Sequence, residues 1–372
     1  VTRPFLVAGG GTGGHVFVAD AVATALVEAG IERSDLRFVG SKRGQDAELL
    51  KDSGIELIAL PGRGIKRSMA PRALLDNLGA LGEMVSAAFS SLRLVGRLRP
   101  RGVVSVGGYA AAPVGLAAVL WRRPLILVNV DAVPGVTHRI LGRFASASCV
   151  AFDNTPLERA VVTGAPVRPE FATIDRSAAA RREAKRALGV DPDRPLVAVL
   201  TGSLGARSVN AAVVDLAGRW AEQPVTLYHV TGRRDFSQIE AQRPSPAGGL
   251  LDYQIVPFED RVPLLYQAAD VAVTRAGALT VAELSLLGLP ALLVPLPGAP
   301  GDHQTKNAQA LALVGGGEVV VDAEVSAKTL SDRLTPLLEQ PDRLATMGER
   351  AAQVGHPRAA HAVAEVVIAH GR

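Results

Sequence analysis

The chain has 372 residues, 48% of them hydrophobic, a formal net charge of +4 and a single cysteine. That length supports two domains of about 100–200 residues each. The lone Cys149 excludes an intrachain disulfide and a multi-cysteine metal site, and fits a reducing cytoplasm. The opening residues do not read as a basic-then-apolar export signal.

The first predicted strand is the apolar run Phe5-Leu6-Val7. It leads into Ala8-Gly9-Gly10-Gly11-Thr12-Gly13-Gly14-His15 and then an alanine-rich helical pattern from Ala19 to Ala29. A strand, a glycine turn and a helix start aim backbone N–H groups and a positive helix end at one point, where an anion, usually phosphate, can sit. Glycine is needed there because the backbone must approach a ligand closely and take positive φ without steric cost. His15 stands at the mouth of the turn; its plainer reading is a capping or simply exposed histidine. The spacing Gly9-x-Gly11-x-x-Gly14 also satisfies the dinucleotide fingerprint, which expects an acid at the end of the second strand to hold a ribose. That strand, Leu36 to Arg43, ends without a carboxylate, which argues against NAD.

Between Pro61 and Leu125 ten basic residues (Arg63, Lys66, Arg67, Arg72, Arg93, Arg97, Arg99, Arg101, Arg122, Arg123) face two acidic ones, Asp76 and Glu83. The window has few aromatics to stack on bases, so no nucleic-acid partner is expected. It carries an apolar series at helical spacing, Leu74, Leu75, Leu78, Leu81, Val85, Ala88, Leu92 and Val95. Such a stripe is the core face of a helix in the plainer reading; flanked by cations, it also suits an anionic leaflet. Gly102 to Trp121 is uncharged and long enough to raise a membrane span. It contains Gly107-Gly108, Tyr109 and Pro113 and reads instead as strand, turn and helix, so a soluble protein is expected.

Further apolar runs follow: Val103 to Val106, Leu125 to Val128, Leu196 to Leu200, Val271 to Val273 and Ala291 to Val294. Short strands without polar alternation are what parallel sheets covered on both faces require. Prolines at 166 and 169 break the chain near Gly164 to Pro169 and mark a domain junction. Thr201-Gly202-Ser203-Leu204-Gly205-Ala206-Arg207 then repeats strand, glycine turn and helix, so two Rossmann-like domains are expected. In Arg275 to Glu283, Glu283 lies about a turn inside a predicted helix, where it would accept from ribose hydroxyls or compensate the helix dipole. The rigid Pro295 to Gly301 loop precedes Asp302-His303-Gln304-Thr305-Lys306-Asn307, a polar group suited to sugar hydroxyls or to solubility. Ala359 to Ala369 forms a last helical pattern that could return to the first domain.

Taken together, Gly10 to Phe17, Gly62-Arg63-Gly64, Gly107-Gly108-Tyr109, Ala132-Val133-Pro134-Gly135, Gly202 to Asn210, Arg275 to Glu283 and Asp302 to Asn307 resemble, nearly end to end, the MurG family of peptidoglycan glycosyltransferases. The resemblance implies an α/β GT-B fold, two Rossmann-like domains with parallel sheets facing a central cleft. The boundaries it suggests are 1–163 for an acceptor and membrane-facing domain, 164–349 for a UDP-sugar domain and 350–372 for a helix returning to the first. The implied reaction is inverting transfer of N-acetylglucosamine from UDP-GlcNAc to the 4-hydroxyl of the muramyl sugar of lipid I, an undecaprenyl-diphosphate-linked acceptor. The setting implied is peripheral, on the cytoplasmic side of the bacterial plasma membrane, in cell-wall synthesis, shape and division. No cofactor and no metal are expected.

Carried over by position, His15 takes or orients the acceptor proton. Thr12, Gly13 and Gly14 hold the acceptor diphosphate, with Gly107, Gly108, Tyr109 and Asn129 beside them. On the donor side Arg168, Phe258 and Glu259 lie near the uracil, and Ser203 and Gly205 at the diphosphate. Ala278 and Leu279 open the helix that carries Glu283 to the ribose, while His303, Gln304 and Asn307 read the sugar. The family's His-Glu-Gln-Asn segment is here Val128-Asn129-Val130-Asp131, and Val18 replaces a proline. An amide hydrogen-bonds but does not accept a proton at ordinary pH, so Asp131 becomes the candidate for the missing carboxylate. The alternatives are a related UDP-sugar transferase with another lipid or secondary-metabolite acceptor, and a UDP-sugar-binding protein without transfer activity.

Overall fold

A computed structural model describes residues 3–10, 13–41, 46–61, 71–202, 205–244 and 249–371, with the side chains of 71–81 outside the description. Thr12, Ser203 and the 62–64 motif therefore lie outside the described residues, as do the side chains of Leu74, Leu75, Leu78 and Leu81. The chain divides into two compact units, residues 1–168 with 358–372, and 169–357.

In the first unit β1 (Phe5–Gly9) feeds α1 (Gly13–Glu28), β2 (Leu36–Ser41), the short α2 (Asp46–Leu49), β3 (Glu56–Leu60) and the long α3 (Pro71–Leu98). Then follow β4 (Gly102–Gly107), α4 (Ala111–Leu120), β5 (Leu125–Asn129), α5 (Val136–Leu141), β6 (Ala147–Val150) and β7 (Ala160–Val162). All pairings are parallel, in the order β3-β2-β1-β4-β5-β6-β7. Every residue of β1, β4 and β5 is buried, as expected of strands covered by helices on both faces. The uncharged stretch from Gly102 resolves into β4, a turn and the ten-residue α4. No helix among the described residues is long and apolar enough to cross a membrane.

The second unit holds α6 (Pro169–Ala172), α7 (Ala178–Ala187), β8 (Leu196–Leu200), α8 (Arg207–Arg219), β9 (Thr226–Val230), α9 (Phe236–Ala241), β10 (Asp252–Val256) and α10 (Val262–Ala268). It continues through β11 (Val271–Thr274), α11 (Ala278–Leu287), β12 (Ala291–Leu293), α12 (His303–Leu313), β13 (Gly317–Val319), α13 (Ala327–Glu339) and α14 (Pro341–Ala352). Its parallel sheet runs β10-β9-β8-β11-β12-β13. In both sheets the first strand of the unit sits mid-sheet and the order reverses beside it, between β1 and β4 and between β8 and β11. In doubly wound sheets, ligands bind outside the carboxyl ends of the strands at such a switch point.

The unit boundaries fall a few residues later than the sequence suggested. Thr163 N–H still bonds the Val150 carbonyl of the first sheet at 3.0 Å, and the Arg168 guanidinium lies 5.1 Å from the centre of the Phe17 ring on α1. At the second crossing α14 runs through position 349 to Ala352 and packs on α11. The final helix α15 (Ala359–His370) then packs on α1 and on β4, β5 and β6, burying Val363, Ala364 and Val367.

Candidate functional site

At the first switch point two glycine turns press together. Gly107, which ends β4, and Gly108 after it have φ of +100° and +81°, and a Cβ on Gly108 would overlap the Gly10 carbonyl oxygen. Only glycine lets the loops after β1 and β4 touch there. Beneath them lies Asp46 of α2, 1% exposed, which accepts the Ser41 N–H at 2.8 Å. The Tyr109 hydroxyl donates to Ser41 Oγ and so reaches the same corner. Gly13 and Gly14 open α1 two residues and one residue before the half-buried His15.

Burial pushes the His15 imidazole below its ordinary value, and the charges of Asp131 and Asp46 pull it partly back. A neutral imidazole near pH 7 is the form able to take a proton. Asn129 ends β5 and is 5% exposed. Its Nδ2 donates to the Asp131 carbonyl at 2.6 Å, while its Oδ1 lies 3.2 Å from His138 Nδ1. The structure thus brings His15, Gly107, Gly108, Asn129 and Asp131 together. It adds Asp46, Ser105 and His138, which sequence reading missed because no local spacing marks them; a histidine on a short helix and an acid after a strand become informative only once the sheet joins them.

The second switch point repeats the glycine turn. Gly202 and Gly205 have φ of +82° and +76°, and the Gly205 N–H bonds the Gly202 carbonyl at 3.0 Å. Gly232 (φ +81°) closes on this turn so tightly that a Cβ would stand 2.6 Å from Gly205 Cα and 2.8 Å from the Gly202 oxygen. Asp235, 4% exposed, lies under Gly205. Arg234 grips its carboxylate at 2.7 and 2.9 Å, and Asn210 Nδ2 donates to it at 3.1 Å. Asn210 also accepts from His229 Nε2 at 2.9 Å. α8 starts at Arg207 with no side-chain cap, so its first N–H groups and the helix field face the turn.

Ala278 and Leu279 begin α11, likewise without a side-chain cap, and Glu283 on that helix is 9% exposed. His303 Nδ1–H donates to the Pro300 carbonyl at 2.9 Å, and Gln304 Oε1 accepts the Leu296 N–H at 2.9 Å. Asn307 is fully buried, and its Nδ2 donates to the Ala276 carbonyl at 3.2 Å. Gln304 and Asn307 therefore tie the start of α12 to the loops after β12 and β11. Arg275 braces the same corner through Asp322 at 2.5 Å and the Val294 carbonyl at 3.2 Å. Phe258 is 38% exposed under the Arg233 guanidinium. Burial alone would raise the Glu259 carboxyl, but bonds from the Tyr228 hydroxyl (2.6 Å) and the Arg261 N–H (2.8 Å) outweigh it and hold it below its ordinary value. Arg168, expected with this group, lies in the first unit against Phe17.

The apolar stripe on α3 is split. Ala87, Leu94 and Val95 are buried, whereas Met84, Val85 and Phe89 are exposed, Phe89 by 70%. Trp121 donates to the Leu92 carbonyl at 2.9 Å and stays half exposed beside the exposed Leu116 and Leu120 of α4. Exposed Arg93, Arg97 and Arg122 border these groups.

Two doubly wound units, each with a glycine turn at its switch point, make up the two-domain α/β architecture of GT-B glycosyltransferases. Residues 5–150 match the glycosyltransferase family 28 N-terminal domain and residues 196–363 the glycosyltransferase family 28 C-terminal domain. The chain belongs to glycosyltransferase family 28. A relative from Frankia casuarinae, named UDP-N-acetylglucosamine--N-acetylmuramyl-(pentapeptide) pyrophosphoryl-undecaprenol N-acetylglucosamine transferase, is 38% identical over 98% of this chain and 95% of its own. A relative of the same name from Alkalilimnicola ehrlichii is 38% identical over 100% of both chains. The crystal structure of Acinetobacter baumannii MurG superposes with a TM-score of 0.76 at 29% identity, covering 98% of this chain and 99% of that one.

Proposed function

We propose that the protein transfers N-acetylglucosamine from UDP-GlcNAc to the 4-hydroxyl of the muramyl sugar of lipid I, forming lipid II for peptidoglycan. The observation that carries this reading is full-length likeness to named transferases of that activity, joined to a half-buried imidazole held neutral at the first glycine turn. In the proposed step the acceptor oxygen bonds to the anomeric carbon as the bond to the UDP β-phosphate oxygen breaks, with inversion. His15 takes the hydroxyl proton. The uncapped starts of α8 and α11 stabilise the charge that develops on the leaving diphosphate, which is electrostatic catalysis that calls for no metal. Glu283 holds the ribose, Phe258 and Glu259 lie near the base, and His303, Gln304 and Asn307 order the sugar-reading loops.

The exposed Met84, Val85, Phe89, Leu116, Leu120 and Trp121, bordered by arginines, support peripheral docking on the cytoplasmic membrane face, apolar groups dipping in while guanidinium groups bind anionic headgroups. The test is transfer from UDP-GlcNAc to a short-chain lipid I analogue, with the product identified by mass spectrometry. A lipid II-type disaccharide is expected. UDP-GlcNAc binding without that product would reject lipid I and redirect the assignment to another acceptor. Binding without turnover on any acceptor would point to a carrier of the nucleotide sugar.

A further inference from the structure

His15 has a second histidine beside it. His138, on α5, is 4% exposed, with Nδ1 3.2 Å from Asn129 Oδ1 and Nε2 3.4 Å from Ser105 Oγ. Hydrogen-bond capacity fixes its tautomer. The Asn129 Nδ2 donates to the Asp131 carbonyl, so the amide oxygen faces His138, and an amide oxygen only accepts. Nδ1 therefore carries a proton, and Nε2 faces Ser105. Burial pushes this imidazole down to about 4, charge on the nearby His15 acts in the same direction, and a bond to the Ser105 backbone opposes them without outweighing them. The two rings meet over Gly107, where a Cβ would stand 3.0 Å from His15 Nε2 and 3.7 Å from His138 Cε1. The charged groups facing His15 are Asp131, after β5, and Asp46, on α2; Ser105 and Asn129, which touch His138, are uncharged.

We infer that His138 is a positioning residue for His15: clamped between Asn129 and Ser105, its neutral ring fills the space beside Gly107, excludes water there and keeps the His15 ring aimed and unprotonated. The inference rests on the reading of His15 as the base of the transfer. It also gives the amide at position 129 a physical sense. A carboxylate accepting from Nδ1–H would favour a cationic His138 and set a positive charge beside the base, whereas an amide makes the same bond without that consequence.

The test uses the full chain with isotope-labelled histidine. In the wild type, NMR is expected to show His138 as the neutral Nδ1–H tautomer throughout pH 5–8, and protonation of His138 near neutrality would overturn the inference without any variant. In His138→Gln, water reaches His15, so its titration midpoint moves up toward the ordinary 6.5, and the acid limb of kcat/KM moves with it. Turnover falls about tenfold while KM for UDP-GlcNAc stays within about twofold. A His138→Gln protein whose His15 midpoint and acid limb match wild type overturns the inference, however slow it is. If the wild type makes no lipid II-type product but the His15 midpoint still moves in the variant, the proposed reaction fails and the coupling of the two histidines stands.

Discussion

His15 and Glu283 act at different stages of the proposed reaction, and single substitutions should separate them. His15→Ala removes the proposed proton acceptor; turnover should fall about 10²–10³-fold with KM for UDP-GlcNAc little changed. Glu283→Ala removes a 9%-exposed carboxylate from α11. It should weaken UDP-GlcNAc binding by about 1.5–3 kcal/mol, the range for hydrogen bonds to charged groups, read by calorimetry. Unchanged kinetics in either variant would strike that residue from the site. The placement of these two residues was legible, because a histidine after a glycine turn and a glutamate inside a helix after a strand stand in sequence beside recognisable motifs. His138, Asp46 and Asp235 were not, since each acts on a partner made adjacent only by the sheets.

At the scale of elements, the glycine turns are the most constrained parts of the molecule. Gly232 has φ +81° and no room for a Cβ beside Gly205 and Gly202. Gly232→Ala should therefore push the turn before α8 out of shape, at a strain cost of about 1–3 kcal/mol. It should lower Tm and weaken UDP binding together; a variant that binds UDP as wild type would show that the turn does not hold the diphosphate. On α3 the exposed face can be altered without touching the core. Phe89→Ser should reduce sedimentation with anionic vesicles while leaving transfer to a soluble acceptor analogue intact, and equal sedimentation would reject this face as the docking surface. The strands rich in Val, Leu and Ala, β1, β4, β5, β8 and β11, could be read directly. β9 and β10 could not, because His229 and Tyr253 interrupt their apolar runs; inside the fold those side chains satisfy each other at 2.9 Å. The exposed β7, Ala160-Val161-Val162, is apolar but only three residues long, too short a run to mark a strand.

For the whole molecule, buried neutral histidines set the response to acid. Burial pushes His138 down to about 4 and His229 to about 3, against about 6.5 in the unfolded chain. Below pH 6.5 the unfolded chain binds protons that the native one refuses, so the stability these groups contribute is full above 6.5 and is lost as pH falls toward 4. Urea unfolding should show a free energy that declines between pH 6.5 and 4.5; a flat profile there would contradict neutral burial of both rings. The two-unit plan was legible from the repeated glycine turns, but the exact crossings were not, because α14 carries regular structure past the point where composition suggests an end.

The return of α15 to the first unit has a consequence for biosynthesis. Residues 169–357 are one uninterrupted stretch, whereas the first unit is closed by a segment that follows them. Domains fold as units, and every residue of the second unit is synthesised before the helix that closes the first. Until Val363 and Val367 arrive, the faces of α1 and the sheet that receive them stand open to water. The unit that would hold the acceptor is thus closed by a segment made after the whole of the other unit, and the apolar seat of that segment is covered only when it returns.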